Sequence, residues 1–257
     1  LIGGAHAHAD ELRDLYRGAR AQAMGNAFTG LADDEEAIFY NPAGLAGIKK
    51  LTVTVPSIEL ETSSDMVTGY SKVSSAFSNF STDSINALMG ENIYAHAQIV
   101  PSIVMPNFGL AVLVDDQVAL NIQNQAKPQF LLGYEQTNGI QASFGYSLSQ
   151  LKRKTDPVDD FRVGVSAKIL YRRGGFHTLD LNQLIAVNTT TIDTITGPFG
   201  VGYGVDTGFQ YLHKFNDKLT LSYGLVGTDL GNTTFASIAD SIPMTFNTGV
   251  ALSYKLP

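Results

Sequence analysis

Phe161-Arg162-Val163-Gly164-Val165-Ser166-Ala167-Lys168-Ile169-Leu170-Tyr171-Arg172 reads as a strand with two different faces. Phe161, Val163, Val165, Ala167, Ile169 and Tyr171 fall on one side. Arg162, Gly164, Ser166, Lys168 and Arg172 fall on the other, with Leu170 the sole exception. A period of two belongs to a β-strand with one apolar face. Here that face begins and ends on an aromatic ring. In a transmembrane strand such rings sit at the two interfaces, and the charged side lines an aqueous lumen. A soluble sandwich reverses the assignment, apolar in and charged out.

The same alternation recurs. Ile140, Ala142, Phe144, Tyr146 and Leu148 alternate with Gln141, Ser143, Gly145 and Ser147; the stretches 203–211, 219–225 and 246–254 behave alike. The polar face carries mostly Gly, Ser, Thr, Asn and Gln. Soluble sheets more often present Lys and Glu there, which keep them dispersed and guard their edges. A small, uncharged polar face suits a crowded lumen, so the pattern favours a barrel. The spacing predicts eight long strands, at 51–62, 92–105, 108–123, 129–148, 160–173, 200–214, 217–228 and 243–256. Asp115-Asp116 and Gln136–Asn138 interrupt the third and fourth, which as hairpins would raise the number to about ten. Short turns at Pro106-Asn107 and 215–217 would lie at the periplasmic end, with longer connections at 63–91, 174–199 and 229–242 at the outer end. Val67, Tyr70, Val73, Phe77 and Phe80 share a helical face, so 63–91 is expected to carry a helix. A second short helix is expected near Leu179–Val187.

Composition agrees. Hydrophobic residues make up 44% of the 257 and charged residues only 16%, against about a quarter charged in soluble domains. No run approaches the roughly 20 apolar residues of a membrane helix. The net charge of −7 argues against nucleic acid as a partner. The absence of cysteine excludes disulfides and thiol chemistry. His96, His177 and His213 are dispersed, and neither a catalytic triad order, HExxH nor a phosphate-cradling loop is present, so neither enzyme activity nor a cofactor is expected. Gly200-x-Gly202-x-Gly204 lies in a strand with no helix after it, unlike a dinucleotide-binding turn.

Residues 18–47 differ from the rest. Gly18-Ala19-Arg20, Met24-Gly25-Asn26-Ala27-Phe28, Ala32-Asp33-Asp34 and Tyr40-Asn41-Pro42-Ala43-Gly44-Leu45-Ala46-Gly47 make a small-residue segment able to press closely on other backbone. In this order the motifs resemble the N-terminal hatch of the FadL/TodX family of outer-membrane transporters for fatty acids and other hydrophobic compounds. They are also similar to the related PorV-like barrels of protein secretion. The resemblance covers about thirty residues. It implies an all-β, antiparallel outer-membrane β-barrel with a small helical hatch at residues 10–50 and barrel strands over 51–257. The implied function is passive uptake of hydrophobic small molecules such as long-chain fatty acids. The alternative is a scaffold or shuttle in protein secretion or a surface complex. Expected partners are outer-membrane lipid, a hydrophobic ligand, and, for the alternative, other outer-membrane or secreted proteins. A closed eight-stranded barrel is filled by its own side chains and has no room for a hatch. The family uses fourteen strands, so the chain is expected to be shorter than the full barrel, with Pro257 opening another turn. Residues 1–9, with two A-x-A patterns, read as a signal-peptide remnant or a disordered end. His6 and His8 there could pair on a metal, though frayed histidines usually do nothing.

Four candidate sites follow. Asn41, Pro42, Ala43 and Gly44 form a tight turn that, by the resemblance, belongs to the gate beside a kinked wall. Pro101 interrupts a strand, where proline removes a ladder bond; it marks either an opening in the wall or a simple bulge, and Pro56 is the competing location. Arg162, Lys168 and Arg172 form a basic track that either meets a carboxylate head group or pairs with the hatch acids Asp33, Asp34, Glu35 and Glu36, the second being the stronger reading. Phe77 and Phe80 could present an apolar capture surface.

Overall fold

The computed structural model describes residues 15–78, 86, 88–123, 129–151, 158–180, 196–237 and 239–255. Eight antiparallel strands form one sheet in chain order: β1 (Thr52–Thr62), β2 (Asn92–Met105), β3 (Phe108–Gln123), β4 (Gln129–Ser147), β5 (Asp159–Asp180), β6 (Gly200–Lys214), β7 (Leu219–Thr228) and β8 (Thr245–Tyr254). The sheet curls into a half-barrel, and among the described residues β1 and β8 share no ladder. An open sheet removes the space problem of a closed eight-stranded barrel, because its concave side can hold other parts of the chain.

Turn chemistry sets the register. Asn107 adopts φ +70 between β2 and β3, a left-handed conformation that asparagine tolerates. Between β6 and β7 the Asn216 side chain accepts from the Lys218 and Leu219 amides at 2.9 Å. The polar interruptions do not split β3 or β4. Asp115 and Asp116 stay in the ladder opposite Thr137 and Gln136, because inward-facing Asp115 is satisfied by His96 at 2.6 Å and Gln98 at 2.9 Å. The fifth strand outruns its expected end at residue 173 and reaches Asp180, paired to Gln129. Gly174, at φ +88, carries the strand past Tyr134, whose carbonyl leaves no room for a side chain. Leu179 is therefore strand rather than the start of a helix, and the remainder of that expected helix lies outside the described residues. Between β1 and β2 the described residues include two helices, α3 (Ser64–Thr68) and α4 (Tyr70–Ser78). Ser63 caps the first by accepting from Met66, and Gly69 closes it with a bond to the Asp65 carbonyl.

The two faces of the sheet are inverted relative to a soluble sandwich. In β5, Val163, Val165, Ile169 and Tyr171 are exposed on the convex side, while Ser166, Lys168 and Arg172 are buried on the concave side. Val112, Ile140, Tyr203, Val205, Leu225, Val250 and Leu252 extend the exposed apolar surface across neighbouring strands. From Phe161 to Tyr171 is roughly 33 Å of strand at about 3.3 Å per residue, or about 25 Å of height at the ~40° tilt usual for a membrane barrel. Aromatic groups gather at both ends of this band. Phe161 lies 4.7 Å from the Tyr211 ring, and Arg173 stacks over Phe199 at 4.7 Å.

The concave side holds two inserts. The N-terminal segment comprises α1 (Ala19–Ala23), α2 (Ala37–Tyr40) and a 3₁₀ helix (Pro42–Gly47). Its Phe28, Ile38 and Leu45 pack with Val100, Val104, Ala111 and Leu113 of β2 and β3 into a fully buried core. The second insert is the β7–β8 connection. It belongs to the connections expected at the outer end, and its Thr233, Phe235, Ala239 and Ile242 fold inward and are buried. Leu170, the one apolar residue on the polar side of β5, packs with Phe235, Ala239 and Ile242. That insert is the reason for the exception.

Candidate functional site

Asn41-Pro42-Ala43-Gly44 sits where the N-terminal segment meets the wall. Asn41 is wholly buried. Its amide donates to the carbonyls of Thr29 at 3.0 Å and Phe209 at 3.1 Å, and its oxygen accepts from the Ala43 amide at 3.2 Å. Pro42 opens the 3₁₀ helix, where its missing N–H costs nothing. Beneath the turn, Gly145, Gly164 and Gly208 are direct cross-strand partners on β4, β5 and β6. A Cβ on Gly164 would enter the Ala43 nitrogen, and one on Gly208 the Asn41 side chain. The glycines thus form a groove shaped for this turn. Gln210 adds donors to the carbonyls of Gly30 at 3.1 Å and Leu31 at 2.8 Å, while Gln141 reaches the Ile38 carbonyl at 2.8 Å. The turn is anchored to three strands at once.

Pro101 and Pro56, competing locations for a wall break in the sequence, occupy one place. The β1–β2 register shifts between Thr54 and Ser57, opposite Ser102 and Val100. On the other side of β2, the regular pairing with β3 is interrupted between Ile99 and Ser102. Two prolines therefore weaken adjacent strands at one level, since neither donates to a ladder. Next to this seam, Thr54 donates to Glu35 of the N-terminal segment at 3.4 Å.

The basic track is present on the concave face, but its partners differ from those expected. None of the pairs seen joins it to Asp33, Asp34, Glu35 or Glu36. Arg162 pairs with Asp160 of its own strand at 2.7 Å and donates to Gln210 at 3.0 Å. Lys168 lies 2.9 Å from both Asp206 and Asp229. Arg172 pairs with Glu135 at 3.1 Å, donates to Thr137, and faces the Phe235 ring at 5.2 Å. The four acids act elsewhere. Arg20 binds Asp33 and Asp34, Glu35 meets Thr54, and Glu36 accepts the Arg20 and Ala21 amides at 3.2 Å each. Burial holds the Glu36 carboxyl above its ordinary range, with nearby Asp34 and Glu35 adding to the effect. Basic side chains on a strand cannot be matched to acids from sequence alone, because the strands bring their own.

A cavity of about 660 Å³ opens between the two inserts and β8, within the size range of small-ligand sites. Tyr16, Phe39 and Tyr40 line one side, Thr245 and Asn247 the other, and Lys168, Asp206 and Asp229 the floor. Tyr16 and Phe39 stack with ring centres 4.0 Å apart. Sequence reading missed the floor, since Asp206 and Asp229 come from strands and loops far from Lys168 in the chain. It also missed His96, which bridges Asp115 at 2.6 Å and Glu61 at 3.3 Å, with Glu61 in turn holding Arg17 at 2.7 Å. Phe77 lies in α4; Phe80, His6, His8 and all of residues 1–9 fall outside the described residues.

Fold and site together define an inside-out β-sheet protein, an apolar-faced antiparallel wall folded around its own N-terminal segment. No protein-family model and no curated protein matches the chain. Among solved structures it is similar to the crystal structure of a Pseudomonas aeruginosa FadL homologue, at 12% identity, over 90% of this chain and 74% of that one, with a TM-score of 0.25. At that score the likeness carries no argument, and the reading of this chain rests on its own side chains.

Proposed function

We propose that the chain is the wall and hatch of an outer-membrane channel for passive uptake of hydrophobic small molecules, working without cofactor or catalysis. One observation carries this reading: the strands turn their apolar side chains outward and their polar side chains onto a seated N-terminal segment. Such a surface is stable against hydrocarbon and costly against water. The segment acts as the hatch, the cavity beside it as a waiting site, and the weakened β1–β2 ladder at Pro56 and Pro101 as the exit into the bilayer. Ligand and outer-membrane lipid are then the partners.

A PorV-like scaffold role draws support from a different observation, the close seating of Asn41-Pro42 on Gly145, Gly164 and Gly208, which leaves a hatch little slack. A tether separates the two readings. The chain lacks cysteine, so cysteines at Glu35 and Thr54 can be joined by a short cross-linker in cells. A channel loses uptake of an apolar tracer on cross-linking and regains it on cleavage. Uptake that ignores the tether, together with a stoichiometric protein partner retained by the tethered form, rejects the channel in favour of the scaffold.

A further inference from the structure

We infer that the cavity between the two inserts takes an uncharged amphiphile and rejects the carboxylate of the same chain length. This rests on the channel reading and narrows it. Among the described residues, three charged side chains line the cavity: one ammonium, Lys168, and two carboxylates, Asp206 and Asp229. Lys168 is 4% exposed and already lies 2.9 Å from an oxygen of each acid. The acids are themselves committed. Asp206 also accepts the Asp229 amide at 2.8 Å, and Asp229 accepts the Thr233 hydroxyl at 2.6 Å. An incoming carboxylate would meet two like charges beside the cation, on side chains that are themselves buried, where repulsion is weakly screened. The other described lining residues carry no charge. The stacked Tyr16 and Phe39 offer an apolar side, and Thr245 and Asn247 offer a hydroxyl and an amide for one hydrogen-bonding head group. An alcohol or ketone on an alkyl body satisfies both sides.

The test uses the full chain in lipid nanodiscs with two photoreactive probes of equal length, a diazirine-bearing dodecanol and the matching dodecanoic acid, at a pH where the acid is ionised. Peptide mapping reads labelling at Tyr16, Phe39 and Asn247. The alcohol should label these positions at least tenfold more than the acid. Asp229→Asn should raise the ratio of acid to alcohol labelling several-fold. Asn suits the φ of +51 at this position, and amide-exchange protection of β6 and β7 equal to that of the unaltered protein reports that the sheet is still folded. Asn247→Lys, which adds an unpaired cation on the rim, should raise acid labelling too. Equal or stronger labelling by the acid in the unaltered protein overturns the inference, as does alcohol labelling confined to the convex face. Uptake of the two probes by cells is measured separately. Uptake of both with an acid-preferring cavity removes the selectivity and keeps the channel. Uptake of neither, with the labelling preference intact, removes the channel and keeps the selectivity.

Discussion

At the scale of single residues, the seat of Asn41 makes the sharpest predictions. Asn41→Ala leaves the Thr29 and Phe209 carbonyls and the Ala43 amide without their partner. Each buried group so stranded costs about 1–3 kcal/mol. Amide exchange should accelerate over residues 29–45 and stay unchanged in the β3–β4 ladder; equal acceleration in both would show that the segment does not open on its own. Gly164→Val fails for the opposite reason, overfilling rather than emptying. Its side chain meets backbone at Pro42 and Ala43, and such overpacking costs about 1–3 kcal/mol. Glu36 supplies a pH dependence. Its folded value lies above the ordinary 4.5 because of burial, so the seated state binds the proton more tightly than the unfolded chain. The resulting stabilisation is complete below 4.5 and lost as pH rises through the folded value. Asp34 is raised by burial as well and acts with the same sign. Protection of residues 18–40 should thus grow on mild acidification, and Glu36→Gln should flatten much of that dependence.

At the scale of elements, alternation of the kind seen in Phe161–Arg172, repeated along the chain, located all eight strands of the sheet though not the far end of β5, because a period of two survives whatever the sheet packs against. Even its flaw was informative: Leu170 breaks the pattern where the β7–β8 connection folds in. What could not be read was register. Gly145, Gly164 and Gly208 appear in the sequence as unrelated small residues on three polar faces, and only their cross-strand pairing makes them one groove. The same holds for Gly202 and Gly204, whose missing side chains let Phe235 and Thr233 approach β6. Pro56 and Pro101 looked like rivals for the same reason, although they share one level of the wall. The inward connection gives a prediction here. Phe235→Ala removes a buried ring that contacts Leu170 and Arg172, a loss of about 3–5 kcal/mol where the ring is well packed. Limited proteolysis should then cut between 229 and 243 while the strands remain intact. Resistance of that connection would mean its remaining contacts, Ala239 and Ile242 on Leu170 and the Lys168–Asp229 pair, hold it without the ring.

At the scale of the whole molecule, the exposed apolar face decides what surrounds the protein. Val165 stands midway between the Phe161 and Tyr171 rings and points outward. In a bilayer, Val165→Arg should cost about 2–4 kcal/mol of refolding stability. On a water-facing surface the same change would fall within about 0.5 kcal/mol. Reversible refolding into lipid vesicles measures the difference, and a near-zero effect would sink the membrane reading. The concave contacts carry a consequence for how this architecture is reached. Asn41 bonds to Phe209, 168 residues later, and Gly30 to Gln210, 180 residues later. Pairing between neighbouring strands can begin locally, whereas closing loops of this length is slow. The N-terminal segment, made before the strands it rests on, is therefore among the last parts to come to rest, and until β6 exists its seat is incomplete. A wall assembled around a late-arriving guest has a long interval in which its polar lining is bare.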